Sequence, residues 1–216
     1  MHQINWGIIG SGSIANAFSY SIQAAINSKL TSIFGRNPKK VDAFADKFHI
    51  NAHHQLDDFI SSEEIDAIYV ATPHSEHFFY ALEAIKNGKH VLCEKPFTMN
   101  AYESMILLDL ANAKNIFLME AFMYRTHPQT RNILDNLHFL SDAKSKIMIE
   151  ASFGFKADVL ATHRLRNPEL GGGAILDVGC YPLTMAKLIA GQLQGLAFAE
   201  PKSLLATGQL DETGVD

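Results

Sequence analysis

Ile4-Asn-Trp-Gly-Ile-Ile-Gly10-Ser-Gly12-Ser-Ile-Ala15 decides how the rest of the chain is read. The run Ile4 to Ile9 is short, nearly continuous in apolar residues and ends on glycine, the pattern of a strand covered on both faces in a parallel sheet. Ile14, Phe18, Ile22 and Ile26 then recur every four residues, which predicts a helix with one buried stripe. Between strand and helix stands Gly10-x-Gly12-x-x-Ala15. Gly10 permits the tight turn, Gly12 lets the backbone come close to a pyrophosphate, and Ala15 is small enough for the helix to settle on the sheet. Ser13, Ile14 and Ala15 open that helix, whose free N–H groups and positive dipole end attract phosphate. A plain βα turn could carry the same residues, but at the head of an alternating pattern the motif points to a dinucleotide.

The alternation continues outward from this stretch. Leu30 to Phe34 reads as a second strand, and Pro38 opens a helix with Val41, Phe44, Ala45 and Phe48 on its apolar face. Ile65 to Ala71 is another buried strand, followed by Thr72-Pro73 and a helix carrying Phe78, Leu82 and Ile85 that stops at Asn87-Gly88. His90 to Cys93 is a strand, Tyr102 to Ala113 a helix, and Ile116 to Met119 one more apolar run. Strands alternating with helices imply an α/β fold, a doubly wound parallel sheet with right-handed crossovers.

After about Phe122 the rhythm changes. Ser145 to Phe155 alternates Ile147, Ile149, Ala151, Phe153 and Phe155 with Lys146, Met148, Glu150 and Ser152, the period-2 signature of an antiparallel strand. Gly171-Gly-Gly173 precedes an apolar helical segment, Ile175 to Ile189, and Ser203 to Leu210 reads as a further strand. The expected organisation is therefore a dinucleotide-binding domain over 1–122 and an incomplete α+β domain with an antiparallel sheet over 123–216. It is read as incomplete because two strands make a marginal sheet; further strands are expected downstream or from another chain.

Composition excludes several function classes. Of 216 residues 47% are hydrophobic, ample for a packed core, and the formal net charge of −5 leaves no basic face for nucleic acid. Neither a signal peptide nor a membrane segment stands out, so the expectation is a cytoplasmic protein. Cys93 and Cys180 lie in apolar contexts and read as reduced thiols. Ten histidines invite a metal reading at His53-His54 or His74 with His77, but no Cys or carboxylate completes a ligand set of three or four, and no metal is expected.

Other residues bear on chemistry. At the end of the second strand a site for NAD would carry an acid; here stand Gly35-Arg36-Asn37 with Lys39 and Lys40 behind. A guanidinium binds a 2′-phosphate bidentately or stacks on adenine, so NADP(H) is favoured over NAD(H). Lys95, between a buried strand and Pro96, is placed to project from the carboxyl edge of the sheet, where open α/β folds bind ligands; a strand-end lysine paired with Glu94 fits its position equally. Asp177 and Tyr181 share a face if Ile175 to Tyr181 is helical, although Pro182 opposes a regular helix. A capping aspartate and a buried tyrosine would look the same.

Taken together, Gly10 to Ala15, Ala71-Thr72-Pro73-His74-Ser-Glu-His77, Glu94-Lys95-Pro96, Glu120 to Pro128 and Gly171 to Pro182 resemble the glucose-fructose oxidoreductase and inositol dehydrogenase family, often written Gfo/Idh/MocA. A tyrosine ending the last motif, where many members have histidine, is similar to the branch of dihydrodiol dehydrogenases and NADP-dependent xylose dehydrogenases. The resemblance implies a Rossmann domain followed by an α+β domain, a substrate cleft between them, pairing of subunits through the second sheet into a homo-oligomer, and a cis peptide before Pro96. It also implies cofactor contacts from Thr72, Pro73, His74, His77, Glu94 and Lys95, with His74 standing where many members have asparagine. Lys95 and Tyr181 become the catalytic pair and Asp177 a substrate-orienting residue, with Arg125, His127 and Arg164 beside a sugar, polyol or cyclic diol. A tyrosine titrates near pH 10, so a phenolate near neutrality needs a shift of about 3 units, roughly 4 kcal/mol, which a nearby ammonium largely supplies. Members run to well over 300 residues, so the chain is expected to lack most of its second sheet. The competing reading is a non-catalytic NADP(H)-binding fragment or regulatory subunit.

Overall fold

The computed structural model describes residues 3–140 and 146–216. The chain divides into two compact units, Met1–Ala121 and Phe122–Asp216.

The first unit holds strands β1 (Ile4–Ile9), β2 (Ser28–Phe34), β3 (Asn51–His53), β4 (Ala67–Val70), β5 (His90–Cys93) and β6 (Leu118–Glu120). Its helices are α1 (Ser13–Gln23), α2 (Pro38–Phe48), α3 (Leu56–Ile60), α4 (His77–Lys86) and α5 (Ala101–Lys114). Every strand pair is parallel and the order is β3-β2-β1-β4-β5-β6, the Rossmann arrangement in which the direction of winding reverses beside β1. β3 and α3 are additional to the elements expected from periodicity, being too short to show it. Along the sheet His53, Phe34, Ile9, Val70, Cys93 and Glu120 pair in one row. The strands therefore end level, and the segments after Phe34, Ile9, Val70 and Cys93 open on a single edge.

Side-chain alternation sends neighbouring residues of one strand into opposite layers. Ile9, Ile68 and Val70 pack with Phe59, Ile85, Val91 and Leu107 on one face. Ile8, Ile33 and Tyr69 pack with Ala15, Val41 and Phe44 on the other. Each such Ile, Val, Leu or Phe side chain, fully buried, contributes about 1.5–3 kcal/mol. The stripe expected on α1 holds through Ile22 only: the helix ends at Gln23, and Ile26 is 97% exposed beyond it.

The second unit holds α6 (Pro128–Asn136) and α7 (Cys180–Gln192), and the described residues between them form turns of 3-10 helix and irregular backbone. A π-helical turn, Ile175–Gly179, runs directly into α7. Pro182 lies inside this continuous helical run, three residues past the end of the π-helical turn. The antiparallel strand expected over Ser145–Phe155 is not seen: Ser145 lies outside the described residues, and 146–155 form no strand, nor do Ser203–Leu210. Alternation specifies which faces a segment would present, but a strand exists only when a neighbour takes up its N–H and C=O groups, and among the described residues none does. By length and apolarity alone, Pro168–Gln192 would suffice to cross a membrane, a property the sequence pass did not single out.

Candidate functional site

Gly10 sits at φ +105°, and a Cβ there would stand 2.5 Å from the Ala71 carbonyl oxygen, so only glycine lets the chain turn against the end of β4. Gly12 differs. It opens α1 at φ −76°, and a Cβ there would meet nothing within 4 Å. Protein packing does not demand that glycine, whereas a ligand approaching the backbone would. α1 begins without a side-chain cap, in contrast to α2 and α5, which Asn37 and Asn100 cap. Ser13, Ile14 and Ala15 thus lead a helix whose first N–H groups are left to a ligand.

Around this turn the level strand ends gather the other residues of the first unit. Thr72, two residues past β4, has a buried hydroxyl with no hydrogen-bond partner, and Glu76 Oε2 in the same segment is also buried without one. Buried polar groups are ordinarily satisfied, so two such atoms beside an open glycine and an uncapped helix fit a polar, phosphate-bearing ligand at this edge. Pro73 leads into the turn His74–Glu76, and His74 is buried. Arg36 stands two residues past β2; its Nη1 is 2.6 Å from Glu76 Oε1. Lys40 contributes its N–H to the Asn37 cap.

The segment after β5 is held from three sides. Tyr69 donates its hydroxyl to Glu94 Oε1, and Glu94 Oε2 accepts the Lys95 N–H at 3.2 Å. Glu120 Oε1 accepts the Phe97 N–H at 2.9 Å. His77 is wholly buried, with Nδ1 2.8 Å from the Pro96 carbonyl and Nε2 2.9 Å from that of Thr72. Burial pushes the His77 pKa below the ordinary histidine value, against the two carbonyls and the charge of Glu94. Both its nitrogens face backbone carbonyls, of which the neutral ring donates to one at a time, so His77 lies between the post-β4 and post-β5 segments. The Lys95–Pro96 peptide is cis. Tyr69 and Glu76 are not marked as site residues by the sequence, because their partners Glu94 and Arg36 lie 25 and 40 positions away.

The second unit assembles its own cluster. Asp177, buried, accepts from Arg164 Nη1 at 3.3 Å. One turn on, the Tyr181 ring meets Phe122 and Phe153 edge-on, each at 5.3 Å between centroids, and Tyr124 at 6.0 Å. Tyr124 donates to Thr184 Oγ1 at 2.9 Å, which fixes this aromatic cage to α7. Arg125 lies between the rings of Phe122 and Phe198, with its Nε buried and without a hydrogen bond. His127 caps α6, its Nδ1 accepting the Gln129 N–H at 3.1 Å. Sequence spacing therefore brings Asp177, Tyr181 and Arg164 into one neighbourhood, while His127 is engaged in capping. Among the described residues no group of three or more His, Cys, Asp or Glu side chains could hold a metal ion. Cys93 is buried, which pushes its thiol pKa well up, and it forms no disulfide.

The chain is 35% identical over 216 residues to trans-1,2-dihydrobenzene-1,2-diol dehydrogenase of Xenopus tropicalis, covering 98% of this chain and 62% of that one. It is 30% identical over 235 residues to D-xylose 1-dehydrogenase (NADP(+)) of Hypocrea jecorina, covering all of this chain and 60% of that one. Among solved structures, the 3-ketoreductase KijD10 of Actinomadura kijaniata, in complex with NADP and TDP-benzene, superposes with a TM-score of 0.77 at 30% identity, over 88% of this chain and 58% of that one. The chain thus spans about three fifths of the length of the curated relatives it matches. Residues 4–122, which contain the level strand ends and the glycine turn, match the model of GFO_IDH_MocA, the oxidoreductase family with an NAD-binding Rossmann fold, and the chain belongs to that family.

Proposed function

We propose that the chain carries the nucleotide site and proton-transfer residues of an NADP-dependent oxidoreductase acting on a secondary alcohol or hemiacetal carbon of a sugar, polyol or cyclic diol. The observation that carries the reading is the glycine turn: Gly10 is required by the fold, Gly12 is not, and the helix behind it is uncapped. Gly10, Gly12, Ser13, Ile14 and Ala15 hold the pyrophosphate, Arg36 and Lys40 the 2′-phosphate, and Thr72, Pro73, His74 and Glu94 the remainder, with His77 acting through the segments it lies between. Relatives named for a diol and for xylose, and a ketoreductase solved with NADP, support this cofactor and substrate class.

Bound NADP(H) supplies the hydride carrier. Tyr181 takes the proton from the substrate hydroxyl during oxidation and returns it during reduction. Lys95 holds that oxygen and lowers the cost of the tyrosine's charged form. Asp177, itself steadied by Arg164, orients the substrate, and Arg125 lines its site. Residues 1–122 serve as the dinucleotide domain and 123–216 as part of the substrate domain. Cys93 and Cys180, neither of which is in a disulfide among the described residues, support a reducing compartment, the cytoplasm. Pro168–Gln192 is read as a segment outside a membrane, because it contains the Arg164-paired Asp177 and the Glu200-paired Lys187.

NADPH fluorescence titration tests the site: micromolar-range binding is expected, and Arg36→Asp should weaken NADPH relative to NADH. Lys95→Ala and Tyr181→Phe should abolish turnover while leaving binding intact. A second reading, a nucleotide-binding protein without turnover, draws on the exposure of Leu183, Phe153 and Phe155 in the second unit. It prevails if the protein binds NADPH yet oxidises no sugar or diol in a broad screen.

A further inference from the structure

We propose that Glu76 governs the choice between NADP(H) and NAD(H), by bridging to Arg36 across the end of β1. The proposal rests on the reading of Arg36 as the 2′-phosphate ligand and extends it to a residue of the opposite segment.

The bridge follows from topology. Arg36 trails β2 and Glu76 trails β4, and in the sheet β1 stands between those two strands. A contact of 2.6 Å from one segment to the other must therefore arch over the end of β1, where the Gly10 turn begins. The crevice at this reversal of strand order is where an open α/β sheet takes its ligand. Tyr80, one turn beyond Glu76 on α4, reports the same proximity. Its hydroxyl pKa is raised by burial and by Glu76, and drawn back by Arg36.

Each group has a distinct preference for what occupies the adenosine end. The Arg36 side chain is 67% exposed, and only one edge of the planar guanidinium is committed to Glu76. A bridge so exposed costs little to open or share. A 2′-phosphate, with a charge of about −1.5 to −2, is drawn to Arg36 and repelled by the carboxylate one hydrogen bond behind it. A ribose 2′-hydroxyl is instead a donor, and Glu76 Oε2 is a buried acceptor without a partner. The carboxylate thus narrows the preference that Arg36 alone would impose. Removing its charge without changing its shape widens that preference.

Glu76→Gln, titrated with NADPH and with NADH beside wild type and Arg36→Asp, tests this on the 216-residue chain. The NADPH-over-NADH affinity ratio is expected to rise about tenfold in Glu76→Gln, with NADPH tightened and NADH weakened. Glu76→Asp, which withdraws the charge by one methylene, should move the ratio the same way by less. A ratio unchanged within about twofold in Glu76→Gln, while Arg36→Asp lowers it, overturns the role of Glu76 and leaves the nucleotide reading standing. If Arg36→Asp leaves the ratio unchanged as well, the assignment of Arg36 falls and takes the role of Glu76 with it.

Discussion

Met1–Ala121 and Phe122–Asp216 are of comparable size but hold themselves together differently. In the first, six parallel strands place Ile8, Ile9, Ile33, Ile68 and Val70 out of contact with water between two helical layers. In the second, Met148, Leu160, Leu204, Leu205 and Leu210 are exposed, and polar contacts tie down its last residues beside the small aromatic cluster around Tyr181. Arg166 donates to Asp211 and Glu212, and the Ala174 and Ile175 N–H groups are taken by Asp216. A βαβ unit satisfies its backbone and covers its apolar faces with residues close in sequence. A lone alternating segment can do neither.

The comparison can be broken most forcefully at Gly10. Gly10→Ala places a methyl against the Ala71 carbonyl at a positive φ, and a loss of about 3 kcal/mol or more is expected, with NADPH binding abolished. A near-normal denaturant midpoint would show that the turn is less constrained than its geometry says. Next comes the core. Ile68→Ala, from a wholly buried position, should cost about 2–5 kcal/mol, whereas Leu183→Ala on half-exposed α7 should stay within about 1 kcal/mol. Equal costs in urea melts would erase the contrast between the units.

His77→Leu removes the ring that spans the Thr72 and Pro96 carbonyls. About 2–4 kcal/mol should be lost, along with protection of the Lys95 segment in hydrogen exchange. Unaltered exchange there would reduce His77 to a space-filling role. The smallest effect concerns acid. Hydrogen bonds from Thr213 and then Arg166 hold the Asp211 carboxyl down to about 2, against an ordinary value of 3.8. A depressed carboxyl stabilises above its unfolded value and loses that contribution as pH falls through the folded one. Protection of the Thr213 N–H, which donates to Asp211 Oδ1 at 2.7 Å, should therefore decline between about pH 4 and 2. Asp211→Asn should remove the pH dependence, and a flat profile in the wild type would contradict the assignment.

Legibility followed the same division. Ile4 to Ala15, Pro38 with Phe44 and Phe48, and Asn87-Gly88 announce strand, helix and stop within a few residues, because their period and punctuation are local. Lys146 to Phe155 carries a period of two and, like Ser203 to Leu210, still forms no strand, because a strand requires a partner that the pattern does not contain. Ile26 kept the helical spacing of α1 but lies past its end. His77 and His127 were visible as residue types near the site; their occupation by backbone groups was not.

Sequence by itself determined the family, the doubly wound sheet and the glycine turn, since each is written in contiguous residues whose chemistry permits few other conformations. Tertiary structure alone decided that Arg36 meets Glu76 over β1, that Tyr69 holds Glu94, and that His77 lies between two strand-end segments. Those contacts join residues 25 or more positions apart, or depend on a ring's orientation, and they exist only because parallel pairing in one register brings Phe34, Ile9, Val70 and Cys93 level.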